Sequence, residues 1–418
     1  MHTLEQLKNG QLKGITRLKI SQQLTEFPLE ILQLADTLEI LDLSNNQLSE
    51  LPSELSQLVN LKILFASQNQ FTHLPEVLGE CPKLEMIGFK DNQISAVPEN
   101  SLPQPLRWLI LTDNEIKALP NSLGERPRMQ KLALAGNQIK QLPDSVSQLH
   151  NLELIRLSAN QLTEFPKQLL DLPRLAWLAF AGNPFCENQE LETQVPQVSS
   201  DSYQLNQVLG QGASGIISHA NWLNGDYDFP DHVAVKVFKG AVTSDGYPQD
   251  ELHACLQTGF HANLVKSIAQ VSEDNYLALV MELIPDSYFN LGLAPSLQSC
   301  TRDTFKPEFN LGITEIKKIV DQMVDVFHHL HNNKVCHGDL YAHNVLINSD
   351  NHMIFGDFGA ASTYDYLPIH QQKKVKAIES RALSFFIEDL LSVCQPNDIG
   401  SDDYQTLEHV AKQAFGAQ

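Results

Sequence analysis

The residues best suited to chemistry lie in three short motifs. VCHGDLYAHNVLIN (335–348) sets Asp339 and Asn344 five residues apart, and IFGDFGAAS (354–362) supplies Asp357. An aspartate and an asparagine at that spacing suit a loop in which the acid orients or deprotonates a hydroxyl and the amide binds a metal ion. A further carboxylate such as Asp357 can hold Mg²⁺ against phosphate oxygens. Upstream, LGQGASGII (209–217) carries Gly210, Gly212 and Gly215, whose missing Cβ atoms let backbone amides approach phosphates. A dinucleotide-binding turn has the same glycines but opens a helix. Here VAVKVF (233–238) follows, which suits a hairpin.

Other residues complete a phosphate site. Lys236 stands on an alternating strand with Ala234 two places back on the same face, where a carboxylate could fix it. Glu251, in the predicted helix DELHACLQ, is the preferred partner and Asp250 the weaker one. YLALVMELIP (276–285) reads as a buried strand entering an exposed link, where backbone groups of Glu282 and Ile284 could pair with a purine. His328, His329, His331, Cys336, His337 and His343 offer a rival zinc reading, but CxxC and HExxH spacings are absent.

The elements before residue 203 are of another kind. Asn46, Asn69, Asn92, Asn114, Asn137, Asn160 and Asn183 recur every 22 or 23 residues, and Pro28, Pro52, Pro75, Pro98, Pro120, Pro143 and Pro166 keep time with them at steps of 22 to 24. Stacked units such as LEILDLSNNQLSELPSELSQLVN show inward leucines on a short strand, followed by an asparagine able to satisfy turn backbone groups in a ladder. This is the leucine-rich repeat pattern, and it resembles the bacterial type with a Leu-Pro step. The third and fifth places of each unit stand on the concave face. Ile63, Phe65, Met86, Trp108 and Ile110 there form an apolar stripe that predicts either a protein partner or packing against this chain's second half. ENQELETQVPQVSSDS breaks the period and reads as a polar linker.

Four motifs in order over about 150 residues make the segment from 203 onward resemble the eukaryotic-like protein kinase family. The whole chain resembles bacterial proteins that fuse leucine-rich repeats to such a kinase. The expected organisation is an α/β leucine-rich repeat solenoid followed by a two-lobed α+β kinase-like domain with a shortened C-lobe. Its segments are a cap (1–14), about seven and a half repeats (15–186), the linker (187–202), an N-lobe (203–284) and a truncated C-lobe (285–418). The resemblance implies ATP and Mg²⁺ as cofactors. It also implies Ile217, Ala234 and Leu346 around the adenine, His337 stacked on Phe358, and catalytic roles for Asp339 and Lys236.

Departures from the family pattern set further expectations. Gly338 replaces the arginine that usually meets a phosphorylated activation loop, so control by loop phosphorylation is not expected. Tyr341 stands where Ser/Thr kinases usually carry a lysine, no Ala-Pro-Glu follows, and Glu379 takes a usual aspartate position in the helix IESRALSFFIEDLL. QQKKVK (371–376) reads as a solvated face. An active Ser/Thr protein kinase is the first reading, with Ser362 and Thr363 as candidate autophosphorylation sites. An ATP-binding pseudokinase scaffold and a small-molecule phosphotransferase are the alternatives. A formal net charge of −21 disfavours nucleic-acid partners. Six scattered cysteines and the lack of any 18-residue apolar run favour a cytoplasmic chain without a membrane span.

Overall fold

The computed structural model describes all residues except 187–194, 213, 224–226, 241, 244 and 417–418, so the first half of the expected linker lies outside the described residues. The chain divides into two compact units. One is Met1–Leu175 with Asn183–Phe185, and the other is Ala176–Gly182 with Cys186–Gln418. The second unit thus includes seven of the eleven residues of the half-unit LAWLAFAGNPF (175–185) that closes the repeat array.

In the first unit a short helix, α1 (Leu4–Lys8), precedes seven three-residue strands: β1 (Arg17–Lys19), β2 (Ile40–Asp42), β3 (Ile63–Phe65), β4 (Met86–Gly88), β5 (Trp108–Ile110), β6 (Lys131–Ala133) and β7 (Leu154–Arg156). They pair in parallel, each with the next. Third places align as Ile40, Ile63, Met86, Trp108 and Lys131, and fifth places as Asp42, Phe65, Gly88, Ile110 and Ala133. The proline of each unit sets the start of a 3₁₀ turn, as Pro52 does for Ser53–Gln57 and Pro143 for Asp144–Gln148. The leucines between strand and turn are buried, and stacking alone supplies that burial because one unit has no core of its own.

The asparagines form the expected ladder. Asn137 Nδ2 donates to Leu111 O (2.9 Å) and Leu134 O (3.0 Å), while its Oδ1 accepts the Ile116 N–H (3.0 Å). Asn69 and Asn160 repeat the pattern in their own units. The residue before each of these asparagines has a left-handed backbone. Asn45, Gln68, Asp91, Asp113 and Ala159 adopt φ between 54° and 60°, where a side chain costs about 1–2 kcal/mol. Glycine takes that place at Gly136 (φ 70°). The ladder bonds hold this strained turn in place. Asn137→Ala would orphan the buried Ile116 N–H, while Leu111 O and Leu134 O keep Asn114 and Asn160 as donors, and should lower unfolding free energy by about 1–3 kcal/mol in urea titration. A loss under about 0.5 kcal/mol would show that these bonds carry no stability.

The concave stripe differs from its expected exposure. Met86 is 1 % exposed and Ile63 and Trp108 are 8 % exposed; only Phe65 and Ile110 are half-buried. Neighbouring strands stand too close for these side chains to remain apart. The Phe65 ring lies where a Cβ on Gly88 would meet it at 2.6 Å, and the Lys131 ammonium sits 4.3 Å from the centre of the Trp108 ring.

The second unit contains β8 (Trp177–Ala179), then β9 (Tyr203–Gln211), β10 (Gly215–Trp222), β11 (His232–Phe238), helix α2 (Pro248–Thr258), β12 (Ser267–Glu273) and β13 (Tyr276–Glu282). The last five strands form an antiparallel sheet in the order β12-β13-β11-β10-β9, which is the N-lobe. The C-lobe follows with β14 (Phe289–Asn290), α3 (Ile313–Asn332), β15 (Val335–Cys336), β16 (Val345–Ile347), β17 (Met353–Phe355), β18 (Ser362–Thr363), α4 (Ile369–Ser392) and α5 (Asp402–Gly416). Helix α4 starts at Ile369, before the expected IESRALSFFIEDLL, because Pro368 supplies an extended N-cap. Its extra turns take in QQKKVK, where Gln371, Gln372 and Val375 are buried rather than solvated. Among the described residues no helix is long and apolar enough to cross a membrane.

Candidate active site

A cleft of about 490 Å³ runs between the two lobes of the second unit. Its roof is the β9–β10 hairpin, closed by the Gly212 N–H donating to Gly215 O (3.0 Å). Gly210 and Gly212 have nothing within 4 Å of a built Cβ, so their backbone faces open cleft. Gly215 is required for a different reason: its Cβ would lie 2.5 Å from Val237 O on the next strand.

Strand β11 carries Lys236 between Ile217 and Leu279 of its neighbours, and the Lys236 ammonium pairs with the buried Glu251 carboxylate from α2. Burial opposes the Lys236 charge, yet the Glu251 and Asp357 carboxylates outweigh it and hold its pKa above the ordinary lysine value. Asp250 takes no part in that pair; burial pushes its carboxyl up to about 6. Ile217, Ala234 and Leu346 line the cleft, joined by Leu279 and Met281. At its edge lie Glu282 and Ile284. The Glu282 N–H is used by Lys266 O (2.9 Å), which leaves the carbonyl as what Glu282 offers a ligand.

The floor brings the loop residues together. Asn344 Nδ2 donates to Asp339 O (3.0 Å) and to Asp339 Oδ2 (2.9 Å), so its amide oxygen is the atom left to ligate. Asn344 O accepts the Gly356 N–H (3.2 Å), which sets Asp357 beside it, on a left-handed backbone of φ 60°. A carboxylate and an amide oxygen are hard donors of the kind Mg²⁺ takes when phosphates and water complete its shell. The residues present therefore fit the metal. His337 is fully buried, stacked on Phe355 (4.0 Å between ring centres) and tilted against Phe358 (4.8 Å), with Nε2 on Gly356 O (3.0 Å). Glu379 of α4 accepts the N–H groups of His337 and Gly338 (3.2 Å for the latter) and reaches His331 Nε2 at 2.8 Å.

Residues 203–376 match the family model of the protein kinase domain. Residues 36–94, 104–162 and 127–185 match that of the leucine-rich repeat. The chain joins a leucine-rich repeat array to a protein kinase domain. Among curated proteins it is 28 % identical over 172 residues to cell division control protein 2 homolog 3 of Trypanosoma brucei brucei, covering 41 % of this chain and 50 % of that protein. It is 25 % identical over 189 residues to fibroblast growth factor receptor 1 of Xenopus laevis, covering 42 % and 23 %. It is 25 % identical over 176 residues to a probable cyclin-dependent serine/threonine-protein kinase of Dictyostelium discoideum, covering 42 % and 25 %. The chain thus spans half or less of the length of these relatives. A leucine-rich repeat protein of Leptospira interrogans, a solved structure, aligns at 29 % identity and a TM-score of 0.37 over 44 % of this chain and 53 % of that one.

Two features of the kinase domain depart from expectation or escaped it. Ser362 is 1 % exposed and its hydroxyl accepts two backbone N–H groups, so it is no acceptor for phosphate in this structure. Asp303 receives no signal from the motifs. It lies far upstream, yet its carboxylate accepts the Ala342 N–H (2.8 Å) and anchors the loop beside Asp339. Burial pushes Asp303 up to about 7. Arg302 forks onto Asp389 and Glu388 and holds that corner to α4.

Proposed function

We propose that this chain transfers the γ-phosphoryl group of ATP to a Ser or Thr hydroxyl of a protein bound by its repeats, in the cytoplasm. One observation carries the reading: Lys236, Asn344 and Asp357 line a single cleft, with Glu251 fixing the lysine and Asp339 bonded to Asn344. Lys236 would hold the α- and β-phosphates, and the Gly210–Gly215 backbone would cover them. Asp357 and the Asn344 amide oxygen would hold Mg²⁺, which supplies charge neutralisation across the phosphates. Asp339 would orient the acceptor hydroxyl and take its proton as the new O–P bond forms and ADP departs. Ile217, Ala234 and Leu346 would enclose the adenine, with the Glu282 carbonyl and the Ile284 backbone at its polar edge. The name of the Dictyostelium discoideum relative, a serine/threonine-protein kinase, supports serine/threonine acceptors.

A leucine-rich repeat solenoid suggests protein–protein interaction. Phe65 and Ile110, the half-buried members of the stripe, would contact the recruited protein, with Ile63, Met86 and Trp108 shaping the surface beneath. The test incubates the purified full chain with labelled ATP, Mg²⁺ and a cell lysate and maps the label. Phosphate on Ser or Thr of a small set of proteins is expected. Phe65→Glu should remove that labelling and leave the rate of ATP hydrolysis unchanged. Label confined to small molecules would replace this reading with a small-molecule phosphotransferase, and Mg-ATP binding without turnover would replace it with a scaffold.

A further inference from the structure

The segment Ala176–Gly182 contacts three parts of the kinase machinery at once. At one end Trp177 is buried, its indole N–H donates to Leu340 O (3.0 Å), and its ring stacks on Tyr341 (5.1 Å, 3°) and Phe385 (5.2 Å, 13°). Leu340 and Tyr341 directly follow Asp339. In the middle, the N–H groups of Phe180 and Ala181 donate to Ser362 Oγ (3.0 and 3.1 Å), in the stretch after Asp357 that pairs with β15. At the far end Gly182 lies where a Cβ would strike Tyr247 and Asp250, at the start of the helix that carries Glu251.

The same segment explains Gly338. That residue has φ 71°, and a Cβ there would come within 2.8 Å of both Leu178 O and Ala360 O. No arginine fits, so none can gather a phosphorylated activation loop. We propose that Ala176–Gly182 is a built-in activating brace, with Trp177 as its positioning residue. It holds the Asp339 loop, the segment after Asp357 and the Glu251 helix in working order without phosphorylation. The proposal rests on the phosphotransfer reading for its rate effect, but its effect on order is independent of that reading. The energetic reasoning is direct. Hydrogen bonds to Leu340 O and Ser362 Oγ are buried, and losing a partner leaves those groups desolvated and unpaired. Glu379, Asp303 and Asn344 hold the flanks of the 337–342 loop, and the segment's bonds are what tie Leu340 O and Ser362 Oγ between those anchors, so their loss would widen local motion there.

The experiment uses the full chain and its Trp177→Ala and Trp177→Phe variants, assayed well below their melting temperatures. The brace predicts kcat reduced by about tenfold or more in Trp177→Ala with KM for ATP within about twofold. Trp177→Phe, which keeps a ring but loses the N–H donor, should fall between. Amide hydrogen exchange should rise in 337–342 and 360–363 in Trp177→Ala, and phosphatase treatment of the wild-type chain should leave its rate unchanged. Lower melting temperature with unchanged kcat and unchanged exchange in those loops would reduce Trp177 to a core residue and overturn the proposal. So would a wild-type rate lost on phosphatase treatment. If the wild-type chain transfers no phosphate, the phosphotransfer reading fails, and the exchange data alone decide the brace.

Discussion

Asp339→Asn should keep Mg-ATP affinity within about twofold and lower phosphoryl transfer by about 10²-fold or more. The asparagine can still accept the Asn344 amide N–H through its own oxygen, so the loop geometry survives. On the proposed role, what disappears is the charge that would orient the acceptor hydroxyl and the base that would take its proton. Single-turnover transfer to a labelled protein, set beside an ATP titration, separates the two effects. Transfer at the wild-type rate would remove Asp339 from the reaction. Loss of ATP affinity in step with rate would assign it to nucleotide binding instead.

The second large effect concerns the metal. Mg-ATP should raise the melting temperature of the wild-type chain by mass action, by an amount equivalent to about 2.7 kcal/mol at a ligand concentration one hundred times Kd. Asp357→Ala should abolish the Mg²⁺-dependent part of that rise and leave a smaller response to ATP with EDTA. Asp357 is one of two carboxylates that raise the Lys236 pKa, so the variant also weakens the field on the ammonium. Glu251 still pairs with it, and the phosphate contact should persist. Thermal shift with and without Mg²⁺ reads both parts. An undiminished Mg²⁺ response would place the ion on other ligands.

The repeat geometry was legible because one physical rule acts at each step of the period. Units that must stack to bury their leucines repeat their inward positions, so the columns Ile40–Ile63–Met86–Trp108 and Asp42–Phe65–Gly88–Ile110 could be written down from spacing and recur as strand partners. The Lys236–Glu251 pair was legible because strand alternation and helix placement leave few carboxylates in reach. Burial of the stripe was not, since the period assigns a face but says nothing of how a Phe65 ring fills the gap left by Gly88. The left-handed turns were hidden for a similar reason: Gln68, Asp91 and Ala159 do not advertise a positive φ as glycine does. Asp303 and Trp177 escaped because each acts across a long sequence separation on backbone groups of the 339–342 loop. No local pattern encodes such contacts.

Membership of Ala176–Gly182 in the second unit bears on how such a chain can change over generations. Duplicating or deleting whole 23-residue units upstream of Leu175 alters the length of the array and leaves the Ala176–Gly182 segment itself unchanged. The closing half-unit has no such liberty. Trp177 occupies a third place, where the repeat pattern leaves the side chain open, yet its neighbours Leu340, Tyr341 and Phe385 fix it as tryptophan. Recombination at the polar stretch 187–202 would give a kinase lacking that strand and an array ending in a surplus one. Lineages that vary the reach of the array should therefore vary it from the amino-terminal side, with AWLAFAG (176–182) carried along as part of the catalytic half.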